Sequence, residues 1–225
     1  MIKFENVSVR FGSGITALNT VSFEIDTNDF VFLVGPSGAG KTTILKLILK
    51  QLEAAQGTIL VDDLNITSNR FHDIETLRRR IGVIFQDFKI LPDKNIFENI
   101  ALSLKIQHIS NAEIRNNVEE VLHLVGLPNK TLLFPSQLSA GELQRIAIAR
   151  AIIGNRDIIL ADEPTGNLDP KTSWEIMKIF KKLEKKKTIV FATHNTDIVN
   201  SMRRRVFVMK DGHLVKDSKK GGYDI

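Results

Sequence analysis

The chain opens on an alternation in which Ile2, Phe4, Val7 and Val9 are apolar and Lys3, Glu5, Ser8 and Arg10 are polar or charged. A period of two reads as a β-strand with one buried face, with a slip in phase near Asn6. A second strand is expected over 21–25. Phe30–Val34 is apolar without a break and runs into Gly35-Pro-Ser-Gly, the pattern of a buried strand entering a loop. Over 42–52 the period changes, and Ile44, Leu45, Leu47, Ile48 and Leu52 form a helical stripe. Strand-like runs recur at 58–61, 81–85, 157–161, 188–192 and 205–209, with helices between the later ones. Asp211-Gly212 between two such runs is a hairpin signal. Between Phe85 and Asp157 the pattern differs: 95–105, 112–125 and 140–153 carry helical spacing, and Ser110 with Glu113 has the form of a capping box. The pattern predicts one domain, 1–225, in which a helical subdomain (87–155) is inserted into an α/β core (1–86 and 156–225).

The loop after Phe30–Val34 carries chemistry. Gly35, Pro36, Ser37, Gly38, Ala39, Gly40, Lys41 and Thr42 fill the form G-x-x-x-x-G-K-[ST], with a strand before and a helix after. Glycines let backbone N–H groups turn inward around phosphate oxygens, and the helix start adds its partial positive charge. Lys41 then reaches the β- and γ-phosphates, the Thr42 hydroxyl is a Mg²⁺ ligand, and Thr43 completes the expected ATP-binding set. A plain Gly-rich turn capping a helix would not call for Lys-Thr at its end.

A second apolar run, Ile158 to Ala161, ends in Asp162 and Glu163. A strand of a parallel sheet delivers its C-terminal residues to the ligand crevice. Asp162 is expected to hold Mg²⁺, and Glu163 to polarise the water that attacks the γ-phosphate. Alone, the pair would read equally well as a solvated acidic turn; a phosphate loop upstream favours catalysis.

Ser139, Ala140, Gly141 and Glu142, within Ser136-Gln-Leu-Ser-Ala-Gly-Glu-Leu-Gln-Arg145, resemble the signature of ABC ATPases, usually Leu-Ser-Gly-Gly-Gln. The resemblance covers essentially the whole chain. It implies the ABC type of P-loop NTPase core, with an N-terminal antiparallel β part and the inserted helical subdomain. Gln86 is similar to the family's Q-loop glutamine, which attends the metal with Thr42 and Asp162. Asp169 falls in the D-loop, His194 matches the switch histidine on the γ-phosphate, and Phe11 takes the place of the aromatic that stacks on adenine. The catalytic set implied is Glu163, His194 and Gln86, with ATP and Mg²⁺ as cofactors. Ser139 to Glu142 would act in trans, against the nucleotide of the other subunit of a homodimer. The same four residues also read as a capping box, and both readings hold together. Two departures stand out: Ala140 replaces a signature glycine, and Glu142 replaces the usual glutamine.

Composition narrows the picture further. The 225 residues are 43% hydrophobic and 25% charged, an ordinary globular balance. No cysteine is present, which excludes disulfide and thiolate chemistry. The net charge of +5 comes from scattered Lys and Arg, and one Trp and one Tyr offer no stacking ladder, so no nucleic-acid partner is expected. No signal peptide is read at the N-terminus, and the apolar runs are too short to span a bilayer. Work at a membrane would need an integral partner. Ala161-Asp-Glu-Pro-Thr-Gly-Asn-Leu-Asp169 resembles the ABC branch serving lipoprotein release, macrolide export and cell division. Phe85-Gln-Asp-Phe-Lys-Ile-Leu-Pro92, 169–177, 193–200 and the tail ending Gly-Gly-Tyr-Asp-Ile are similar to its cell-division members. That resemblance implies a bacterial ATPase peripheral on the cytoplasmic face of the cell membrane. It would drive an integral partner that regulates cell-wall hydrolysis; the alternative is a lipoprotein-release or macrolide-export ATPase.

Overall fold

The structure, a computed structural model, describes residues 1–12, 14–154, 156–219 and 221. Of the tail ending Gly-Gly-Tyr-Asp-Ile, residues 222–225 therefore lie outside the described residues. Two sheets form. β1 (Ile2–Arg10), β2 (Thr16–Ile25), β4 (Gln56–Val61) and β5 (Leu64–Asn65) make an antiparallel sheet in the order β2-β1-β4-β5. β3 (Phe30–Val34), β6 (Ile81–Ile84), β7 (Ile158–Asp162), β8 (Thr188–Thr193), β9 (Arg205–Lys210) and β10 (His213–Ser218) make the second, in the order β10-β9-β3-β8-β7-β6. All its pairs are parallel except the β9–β10 hairpin.

The slip near Asn6 is a bulge: the β1–β2 register shifts between Phe4 and Val7, and Asn6 takes φ 51°. The hairpin signal holds too, with Asp211 (φ 48°) and Gly212 (φ 76°) both left-handed, as a type I′ turn requires. β2 begins well before residue 21, because Asn19 and Thr20, which read as turn formers, sit at exposed positions and Thr20 occupies a second irregularity (φ 51°).

The parallel sheet is buried on both faces, which is why β3 has no polar position. Phe30, Phe32 and Val34 enter one apolar cluster with helices α3 (Ile96–Ile106), α4 (Asn111–Leu124), α5 (Ala140–Ile152) and α6 (Pro170–Leu183). Val31 and Leu33 enter the other, with α1 (Lys41–Ile48) and the antiparallel sheet. α3, α4 and α5 all lie between β6 and β7, and no strand separates them among the described residues. Helix α1 stops at Ile48, short of Leu52, and α2 (Ile74–Arg79) and α7 (Thr196–Met202) complete the set. Ser110 accepts from the Glu113 N–H, but the return bond of a capping box does not form.

Helix α5 reaches the sheet because β6 carries a glycine. A Cβ on Gly82 would collide with the Ala151 carbonyl oxygen. The backbone oxygen cannot swing aside as a flexible side chain would. Gly82→Ala is therefore expected to destabilise the protein by about 1–3 kcal/mol or more, the scale of overpacking. A lower urea midpoint with unchanged m-value would be the signature; an unaltered midpoint would deny the close approach.

Candidate functional site

The phosphate loop joins β3 to α1. Gly40 takes φ 104°, and a Cβ there would come within 2.7 Å of Leu18 Cδ2 and 2.9 Å of the Ala17 carbonyl oxygen. Gly35 packs its Cα against the Met209 carbonyl oxygen, leaving no room for a side chain. Helix α1 begins without a side-chain cap, whereas the other six α-helices among the described residues start on Asp73, Asn95, Ser110, Ser139, Asp169 and Asn195, each accepting a backbone N–H. The first N–H groups of a helix need acceptors, and here they are left for an anion. The buried Lys41 curls over the loop, its Nζ donating to the Gly35 (2.7 Å) and Pro36 (3.2 Å) carbonyl oxygens, 3.9 Å from Glu163 Oε1.

Four adjacent strands, β3, β8, β7 and β6, end together at this loop, and each hands over a polar group. After β7, the Thr42 hydroxyl donates to Asp162 Oδ2 at 2.9 Å. Burial pushes the Asp162 carboxyl above its ordinary pKa; the Thr42 hydrogen bond opposes this, and the neighbouring Glu163 charge adds to it. Glu163 sits at φ 48°, a left-handed conformation that costs a non-glycine residue about 1–2 kcal/mol and turns its side chain toward the strand ends. After β8, His194 Nδ1 lies 2.8 Å from Glu163 Oε1, and the His194 N–H donates to Oε2 at 3.4 Å. After β6, Gln86 Nε2 donates to Asn167 Oδ1 at 3.3 Å.

These groups line one cleft of about 750 Å³, shared with Phe11, the loop from Pro36 to Gly40, and Thr43. Gly35 lies beneath it. Sequence reasoning missed Ile15, Thr16 and Ala17, which line the cleft beside the half-exposed Phe11, and the bond by which Asn167, in the stretch resembling the D-loop, meets Gln86. Ser139, Ala140, Gly141, Glu142 and Asp169 do not line it. They form a second cluster. Ser139 caps α5 in a reciprocal box with Glu142, whose carboxyl is held below its usual pKa first by the Ser139 N–H and then by Lys130. Asp169 caps α6 through the Thr172 N–H. Gly141 is buried against the Thr172 methyl, while Ser139 and Ala140 are exposed. A further cleft of about 510 Å³, at the opposite end of the sheet, is lined by Arg204, Arg205, Glu184 and Asp29, whose charges satisfy one another.

Thr42, Asp162 and Gln86 offer hydroxyl, carboxylate and amide oxygens, the hard donors that suit Mg²⁺. Among the described residues no cluster of three or more His, Asp or Glu could hold a metal unaided. The donor set therefore fits an ion that arrives with further oxygen ligands on phosphates.

The ABC transporter family profile matches residues 18–166. The chain is 45% identical over 224 residues to the cell division ATP-binding protein FtsE of Bacillus subtilis, covering 99% of this chain and 98% of that protein. It is 40% identical to the Escherichia coli K12 protein of the same name, covering 95% of this chain and 97% of that one. Among solved structures, a dimeric bacterial ABC transporter cassette superposes with a TM-score of 0.89 at 36% identity over 99% of this chain and all of that one. A dimeric cassette in a post-hydrolysis state bound to ADP and Pi gives 0.87 at 35% identity, with the same coverage.

The raised pKa of Asp162 has a definite sign. Its neutral form stabilises the empty protein below the ordinary carboxylate range, and that gain is lost as pH rises through the raised pKa. Asp162→Asn is expected to raise the melting temperature of the empty protein at neutral pH, with the gap closing in acid. The same change should cut ATP turnover by roughly 10²-fold or more, the scale of losing one charge-stabilising group. Mg²⁺ alone should leave the melting curve unmoved. Tight Mg²⁺ binding without nucleotide, or a less stable Asp162→Asn protein at neutral pH, would contradict this account.

Proposed function

The chain belongs to the ABC transporter family and is an ATPase like the cell-division ATP-binding proteins, and on that premise we propose the part each residue plays and the machine it drives. The observation that carries the proposal is the convergence of an uncapped helix start, Thr42–Asp162, Glu163–His194 and Gln86 on the ends of four adjacent strands. Phe11 stacks on adenine. The N–H groups from Gly38 to Thr43 and Lys41 take the phosphates, Lys41 trading its carbonyl partners for phosphate oxygens. Thr42, Asp162 and Gln86 would hold Mg²⁺ together with the nucleotide, and the ion would supply charge neutralisation for the phosphates. Glu163 accepts a proton from the attacking water as the new P–O bond forms and the bond to the β-phosphate oxygen breaks, releasing ADP. His194, bonded to Glu163, orients that carboxylate and contacts the γ-phosphate.

Within one chain the γ-phosphate side of the cleft lacks Ser139 and Gly141, which sit at the separate start of α5, where Ser139 and Ala140 are exposed. The box at α5 engages the Ser139 and Glu142 N–H groups and leaves those of Ala140 and Gly141 as donors for a second anion. The reading is a homodimer in which each α5 start closes the other chain's site and ATP acts as the adhesive. The similarity to dimeric cassettes supports it. No described helix is long and apolar enough to cross a membrane. From the likeness to the cell-division ATP-binding proteins we place the subunit peripherally on the cytoplasmic face, held by an integral partner of the FtsX kind, whose movement regulates cell-wall hydrolases at the division site. The names of the relatives favour this over lipoprotein release or macrolide export. A groove of about 320 Å³ beside β6, with exposed Leu102 and Ile106 on its rim and Arg78, Arg150 and Arg156 around it, suits an amphipathic, acidic segment of that partner.

Glu163→Gln should still bind ATP, lose turnover by roughly 10²-fold or more, and accumulate as an ATP-bound dimer in light scattering. Lys41→Ala and Ser139→Arg chains, each inactive alone, should regain activity when mixed, because one composite site in the mixed dimer is intact. A mixture that stays inactive although heterodimers form would rule out the shared site. Co-purification from membranes with a protein other than an FtsX-like one would redirect the cellular assignment and leave the ATPase chemistry standing.

A further inference from the structure

Arg150, near the C-terminal end of α5, is a half-buried cation whose bonds both go to main chain. Its Nη1 donates to the Lys89 carbonyl oxygen at 2.6 Å and its Nη2 to that of Phe88 at 2.8 Å. Among the described residues no carboxylate lies within ion-pair distance of it. Phe88 (φ 59°) and Lys89 (φ 51°) are consecutive non-glycine residues in the left-handed region, a pairing that persists only where surrounding structure imposes it. The turn they belong to starts at Phe85, whose carbonyl oxygen accepts the Phe88 N–H at 3.3 Å, and Gln86 lies inside it. Gln86 enters the nucleotide cleft, although Phe88 and Lys89 do not line it.

We propose that Arg150 is a positioning residue for Gln86: by gripping two successive carbonyls it holds the 85–89 turn in its strained form, and that form aims the glutamine at the nucleotide. The proposal rests on the role given to Gln86 above. It also gives α5 two points of attachment to the cleft. At its start, Gly141 lies against Thr172, whose N–H is held by Asp169. At its end, Arg150 holds the turn carrying Gln86, which is itself bonded to Asn167, two residues before Asp169. A tilt of α5 thus displaces Gln86 and the 167–172 segment together. Arg150 also lines the groove beside β6, so a segment docking there touches the guanidinium that fixes Gln86.

Four chains test this: Arg150→Met, Gln86→Ala, the double variant, and Arg150→Met with Lys89→Gly. The last removes the left-handed penalty at an exposed position. Two quantities are read: the gain in affinity for a non-hydrolysable fluorescent ATP analogue when Mg²⁺ is added, and kcat. Arg150→Met and Gln86→Ala should each lose most of the Mg²⁺-dependent gain and about 10–100-fold in kcat, the cost of misplacing a site group by an ångström or so. Affinity without Mg²⁺ should stay near wild type. The double variant should be no worse than Gln86→Ala within about 2-fold, since both act through one contact. Lys89→Gly should recover about 5-fold or more of the Arg150→Met loss. Hydrogen exchange over 85–89 should quicken in Arg150→Met. Should Arg150→Met not fold, Arg150→Lys, which keeps the charge without the fork, carries the same comparison. Additive losses in the double variant, or an undiminished Mg²⁺-dependent gain in Arg150→Met, overturn the proposal. An undiminished gain in Gln86→Ala overturns the role of Gln86, and this proposal with it, while the loss of turnover in Glu163→Gln tests the ATPase chemistry separately.

Discussion

A helix start with no side-chain acceptor is the constraint from which the site follows. Backbone N–H groups removed from water need partners, and among the described residues six of the seven α-helices meet that need with a capping side chain. α1 does not, and Gly40 at its N-cap has no side chain to offer. Lys41 donates to the loop's own carbonyls and stands 3.9 Å from Glu163, while the N–H groups at the start of α1 keep no side-chain acceptor. The parallel sheet then decides what else stands there. Because β3, β8, β7 and β6 are neighbours in register, with Val34 beside Thr193, Asp162 beside Ala192 and Ala161 beside Ile84, residues from distant parts of the chain leave the sheet at one level.

That arrangement costs stability locally. Glu163 is left-handed without being glycine, and Asp162 is buried enough to resist ionisation. Both costs fall on the carboxylates that face the cleft. A buried carboxyl that resists ionisation in the empty protein is one whose charged form a nearby cation would favour.

Much of this was legible in the chain itself, for a physical reason: local spacing encodes local structure. The phosphate loop, the acid-tipped strand, the phase slip at Asn6 and the Asp211-Gly212 turn each depend on residues within a few positions of one another. What stayed hidden depends on distance in sequence. Ile15 to Ala17 line the cleft only because the antiparallel sheet folds back over the loop, and Asn167 and Arg150 matter only through partners 81 and 61–62 positions away. Short elements were hidden for another reason. α2 spans under two turns, too few for a period to show, and β5 has two residues. The box at Ser110 shows the opposite error: the right residues at the right spacing, with only one of the two bonds made.

The β9–β10 hairpin has a consequence of its own. Gly212, at its tip, packs on Ala17 and sends its carbonyl oxygen to the Asn19 N–H, and Met209 of β9 closes the space beneath Gly35. The floor of the phosphate loop is therefore supplied by residues translated long after the loop they support. A nascent chain presents the loop at 35–42 well before the hairpin at 205–218 has been made. Until then the loop lacks that support, so the order of synthesis puts the completion of its floor near the end of the chain.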